Sequence, residues 1–104
     1  MPAVGVDVAE AGVSRSLLFV PADSEKKLAK ARGVNADALI LDLEDSVAAS
    51  AKKAARQTAR GFIAEGCTAD LWVRINPLDT SDALDDLREI MPAAPFGIVL
   101  PKPR

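Results

Sequence analysis

Short apolar runs that do not alternate with polar residues constrain this chain most: Leu17-Leu18-Phe19-Val20, Ala38-Leu39-Ile40-Leu41 and Gly97-Ile98-Val99-Leu100. A strand with one face in water alternates apolar and polar positions, whereas a strand covered on both faces reads as a continuous apolar run. Leu71-Trp72-Val73 opens a further strand, ending at Ile75. Helical segments stand between the runs. Ser24 is placed to cap a helix that continues to Arg32, with Glu25 in its first turn and Gly33 as its stop. Over residues 50–65, Ala51, Ala54, Ala55, Ala59, Phe62 and Ile63 form one apolar stripe, and Gly66 follows. The other face carries Lys52, Lys53, Arg56 and Arg60 and reads as a solvated surface rather than an anion site. Ser81 is placed to cap a third helix, with Ala83, Leu84, Leu87, Ile90 and Met91 expected inward, and Pro92 breaks it. The strand starts fall 22, 33 and 26 residues apart. That spacing predicts an α/β fold built on a parallel sheet with right-handed crossovers.

Composition excludes several classes. A chain of 104 residues is one domain at most, and 49% hydrophobic residues rule out a disordered or fibrous chain. The net charge of −2, with acids and bases interspersed, argues against nucleic acid or an anionic membrane as partner. Three Phe, one Trp and no Tyr leave little for a base-stacking surface. No segment approaches the roughly 18 apolar residues of a membrane span. Cys67 is the single cysteine, which excludes an internal disulfide, fits a reducing cytoplasm and reads as a small semi-buried residue. Histidine is absent, which removes the commonest general base and any His-ligated zinc. Residues 1–14 have no basic residue and no unbroken apolar stretch, so they read as a disordered leader rather than a secretory signal, with the domain running from 15 to 104.

The chemistry-bearing residues fall at the carboxyl ends of the strands. Asp42, Glu44 and Asp45 follow the buried run at Leu41, and Arg74 follows Leu71-Trp72-Val73. In α/β folds that edge is where ligands are handled, and in a (β/α)₈ barrel all such ends meet on one face. An acidic strand end beside a fixed cation suits a hard metal and a carboxylate substrate. Plainer readings compete. For Asp42, capping its own loop outweighs a catalytic role. For Glu44 and Asp45, a site role outweighs that of solvated loop acids. Arg74 has two readings, a substrate grip or a structural pair with Asp42 or Glu44. Trp72 is most simply core, and Lys102 a loop lysine.

Four tags, Arg15-Ser16-Leu17-Leu18-Phe19-Val20-Pro21, Ala36 through Val47, Val73-Arg74-Ile75-Asn76-Pro77 and Gly97 through Lys102, resemble the citrate lyase β-subunit-like group of the HpcH/HpaI aldolase family, in the family's order and near its spacing. One departure is Ala22, where the family often has Gly. The resemblance implies the N-terminal part, about four βα strands, of a TIM (β/α)₈ barrel truncated after the fourth strand. It implies a Mg²⁺-dependent carbon–carbon lyase acting on a coenzyme A or acyl-carrier thioester (citryl, malyl or citramalyl) to give a 2-oxo acid and an acyl thioester. Arg74 would hold the substrate carboxylate, Glu44 and Asp45 would lie near the metal and act through water, and Arg15 would lie near the thioester cofactor. The direct metal carboxylates are expected beyond residue 104, so these residues alone are expected to be inactive. The partners implied are small molecules, with no nucleic acid and no membrane, in a homo-oligomer for the full-length family. The alternatives are a receiver-like flavodoxin-fold signalling domain and a non-catalytic truncated fragment.

Overall fold

The unalternating runs become parallel neighbours. The computed structural model describes residues 4–10 and 13–101, with side chains from 16 onward. Its strands are β1 (Val4–Glu10), β2 (Val13–Pro21), β3 (Ala38–Asp42), β4 (Asp70–Arg74) and β5 (Gly97–Val99). Its helices are α1 (Glu25–Arg32), α2 (Lys52–Glu65) and α3 (Ser81–Ile90), with single 3₁₀ turns at Ala49–Ala51 and Met91–Ala93. The sheet order is β1-β2-β3-β4-β5, with β2 to β5 parallel and β1 antiparallel to β2. A receiver-like sheet would instead carry its first strand inside the order 2-1-3-4-5. Parallel strands laid down one after another are the arrangement of barrel staves.

The expected helix signals operate locally, except that Ser81 is the first residue of α3 and Thr80 stands at its N-cap. Ser24 Oγ accepts the Lys27 amide at 3.2 Å and caps α1, and Gly66 ends α2 with a φ of 75°, where a side chain would be strained. β3 is buried along all five residues, as its composition predicts. Leu39 and Leu41 join Val20, Leu71 and Val73 in one cluster with Leu28 and Ala31 of α1, Ala55, Ala59, Phe62 and Ile63 of α2, and Ala83 and Ile90 of α3. All three helices therefore cover the same face of the sheet. On the opposite face, Phe19, Ile40, Trp72 and Gly97 stand in register across four strands. Trp72 lies there, half-buried, with its ring 5.2 Å from Phe96. A Cβ on Gly97 would lie 2.3 Å from Trp72 Cζ3, so only glycine fits beneath the indole.

Three expectations are corrected. Residues 4–10, read as disordered leader, form β1; Val4, Val6 and Val8 have the two-residue period of a strand, which the reading passed over. Of the rest of that leader, Val13 and Ser14 open β2, while 1–3 and 11–12 lie outside the described residues. In α3, Leu84 and Met91 are about half exposed, while Asp86 is fully buried. The inward stripe is Ala83, Asp86, Leu87 and Ile90, an ideal helical repeat with a carboxylate at one core position. In α2, Ala54 is exposed, and Arg56, expected on the solvated face, is buried.

Candidate functional site

The carboxyl ends of β3 and β4 are fastened to each other by side chains. Arg74 Nε donates to Asp42 Oδ1 at 2.9 Å and Nη2 donates to Asp42 Oδ2 at 2.8 Å, a two-pronged pair between register partners. Asp42 also caps its own loop: Oδ1 accepts the Glu44 amide at 2.9 Å, and Oδ2 accepts the Ser46 amide at 3.0 Å and the Ser46 hydroxyl at 2.7 Å. Burial pushes the Asp42 pKa up, but the bonds from Arg74, Glu44 and Ser46 outweigh it and hold the carboxyl down at about 2. The hydrogen bond to Asp42 raises the Arg74 pKa; burial opposes that, and the charges of Asp42, Glu44 and Asp45 add to it. The Arg74 guanidinium also lies 5.3 Å from the Phe19 ring centre, so an aromatic face supports it from below.

The expected site residues are largely brought together. Glu44 Oε1 stands 4.0 Å from Arg74 Nε, and Asp45 follows on the same loop, exposed. Both acids thus share one end of the sheet with Arg74. Arg15 does not join them. It falls six residues before Pro21 on β2, so roughly 20 Å of strand separates its backbone from the mouth. Its side chain and Lys102 lie outside the described residues.

Sequence reasoning missed a second tier of polar residues behind the mouth. Lys52 Nζ donates to Leu43 O and Glu44 O, each at 3.2 Å, and to Asn76 Oδ1 at 2.7 Å. Asn76 Nδ2 donates to Leu43 O at 3.1 Å and to Asp86 Oδ2 at 2.7 Å, while its amide donates to Asp86 Oδ2 at 2.8 Å. Asp86 Oδ1 accepts Arg56 Nε at 2.7 Å, and Arg56 Nη2 donates to Asp82 Oδ1 at 2.7 Å. Burial lowers the Arg56 pKa, but the bonds and charges of Asp86 and Asp82 reverse this and leave it raised. Among the described residues no buried side-chain nitrogen or oxygen lacks a partner. The available signal was the phase of α3, which puts an aspartate at a core position where it demands a cation.

A profile of the HpcH/HpaI aldolase/citrate lyase family matches residues 15–103. The chain belongs to this family. The (3S)-malyl-CoA thioesterase of Cereibacter sphaeroides strain KD131 is 40% identical over 93 residues, covering 85% of this chain and 32% of that protein. The mitochondrial citramalyl-CoA lyase of Homo sapiens is 34% identical, covering 85% of this chain and 27% of that protein. The crystal structure of CitE from Mycobacterium tuberculosis in complex with magnesium and acetate superposes with a TM-score of 0.71 at 40% identity, covering 84% of this chain and 35% of that one. A second CitE structure, with magnesium, acetoacetate and coenzyme A, gives a TM-score of 0.64. The four parallel strands and their helices match the corresponding part of these TIM-barrel proteins, and the chain spans about a third of the length of the family relatives it matches. Some relatives of the family are lyases and others thioesterases. The receiver-like alternative finds no support here.

A hard divalent ion wants six or more oxygen ligands. Asp42 is committed to Arg74 and Ser46, which leaves Glu44 and Asp45 of the acidic run after β3. Among the described residues no group of three or more His, Cys, Asp or Glu could hold a metal. The described residues therefore do not make a complete magnesium site.

Proposed function

We propose that this chain forms the substrate-carboxylate side of a carbon–carbon lyase site acting on a β-hydroxyacyl thioester of coenzyme A or an acyl carrier. The observation that carries the proposal is the Asp42–Arg74 fork with Glu44 beside it. Two of the five guanidinium N–H groups go to Asp42, and no hydrogen bond among the described residues takes the rest, which would serve a second carboxylate. Asp42 thus aims Arg74 as well as neutralising it, and a substrate acid group meets a cation already oriented. In the cleavage, the β-hydroxyl loses its proton and becomes the carbonyl of the departing 2-oxo acid. The electron pair of the broken C–C bond passes to the thioester's α-carbon as an enolate, which then takes up a proton. Glu44 and Asp45 are the carboxylates placed to take and return those protons, while Arg74 retains the 2-oxo acid. Magnesium dependence belongs to the proposal on the strength of the CitE complexes, and its remaining ligands would have to come from outside the described residues. The proposal extends to a cytoplasmic setting, which suits the single thiol, Cys67.

The test is an NMR titration with pyruvate, the simplest 2-oxo acid. Pyruvate shifts the Arg74 Nε–H resonance of the unaltered chain, and R74M loses at least about 100-fold in affinity, the worth of a charged two-pronged contact. An Arg74 resonance indifferent to pyruvate defeats the reading. Malyl, citramalyl and citryl thioesters with Mg²⁺ are expected to give no measurable turnover with these 104 residues, because the mouth carboxylates do not complete the metal site; robust cleavage would overturn that expectation. A second reading, thioester hydrolysis, is favoured by the Cereibacter relatives. Hydrolysis releases free thiol without a 2-oxo acid, whereas cleavage releases a 2-oxo acid without free thiol.

A further inference from the structure

We infer that Lys52 and Asn76 are positioning residues that hold the backbone of Leu43 and Glu44, and through it the Glu44 carboxylate, at the mouth of the site. The inference rests on the proposed role of Glu44 and adds the means by which its loop is fixed. That loop is gripped from two sides. Its amides at Glu44 and Ser46 point to the Asp42 carboxylate. Its carbonyls at Leu43 and Glu44 point the other way and accept from Lys52, with Asn76 sharing the first of them. The Leu43 amide in turn donates to Arg74 O at 3.0 Å, so the loop is also stitched to β4.

An ammonium has three donors, and all three of Lys52's have named acceptors, two on the β3 loop and one on the loop after β4. The lysine therefore ties the loop that carries Glu44 to the loop that follows Arg74 at the end of β4. Asn76 is only 3% exposed, and its amide is held by Asp86, which is fully buried and paired with Arg56. The chain of contacts runs from the helix pair α2–α3 to the mouth without a break, which is how a rigid frame sets the position of a functional side chain.

The experiment is amide hydrogen exchange on the whole chain without any ligand, so that its outcome does not depend on whether Arg74 binds a 2-oxo acid. In K52M, exchange at the Glu44 and Ser46 amides is expected to speed up about tenfold or more, as a locally released loop does, while Leu39 and Leu41 in β3 keep their protection. K52R, which retains charge and donors, restores the protection at Glu44 and Ser46. N76A reproduces the local effect through the second contact to Leu43 O. Unchanged exchange at Glu44 and Ser46 in both K52M and N76A overturns the inference. So does equal acceleration throughout β3, or failure of K52R to restore protection. If the exchange result stands while pyruvate leaves Arg74 unmoved, the frame survives and the lyase reading falls.

Discussion

Asp42 fixes one edge of Arg74. The sequence left open whether this arginine pairs structurally or grips a ligand; the fork shows the structural pair through Nε and Nη2, and the proposed grip falls to the other edge. Because Asp42 is held from its ordinary 3.8 down to about 2, it binds a proton more readily unfolded than folded. The stability it contributes is fully present above about pH 4 and is lost as pH falls toward 2. The difference is worth on the order of 2 kcal/mol. D42N is therefore expected to flatten the stability curve between those limits, as urea midpoints measured against pH would show. At neutral pH the same variant is less stable, because it leaves Arg74 a weaker partner.

Helix phase explains why the second tier was invisible in the sequence. Reading α3 by its hydrophobic residues alone drew Leu84 and Met91 inward, yet Ala83, Asp86, Leu87 and Ile90 is the stripe that faces the sheet. A fully buried carboxylate must be paired, and α2 supplies Arg56 from a face that composition marks as solvated. D86L leaves the Arg56 charge buried and half-paired, so it is expected to cost roughly 3–5 kcal/mol in chemical denaturation. Removing both partners in R56M/D86L should cost less than the two single losses added together. A similar coupling applies on the far face of the sheet. G97A drives a methyl into Trp72 and is expected to cost about 1–3 kcal/mol, with W72L recovering part of the loss in the double variant.

Sheet order decides where all of this converges. Because β2 to β5 are parallel, their carboxyl ends open at one edge, and their sequential order makes the acidic end of β3 and the basic end of β4 neighbours. An order that reversed inside the sheet would have split them. β3 is paired on both sides and buried along its length, whereas β5 has three residues and one partner among the described strands. Amides of β3 are accordingly expected to exchange last and those of β5 first, a ranking that native-state exchange would check.

Much of this was legible in the chain itself. Unalternating apolar runs require strands covered on both faces, and the spacing between them leaves room for helical crossovers, so a parallel α/β sheet with its acids and Arg74 at strand ends follows from local pattern alone. Asp42 as a loop cap was legible for the same reason, since an aspartate reaches amides two and four residues ahead without help from the rest of the fold. Of the contacts between residues far apart in sequence, Arg74 with Asp42 across 32 positions was one of two readings left open. Lys52 with Asn76 across 24 positions and Arg56 with Asp86 across 30 could not be read. A charged side chain on a helix looks solvated until its neighbour in space is known, because only packing removes the water that would otherwise be its partner.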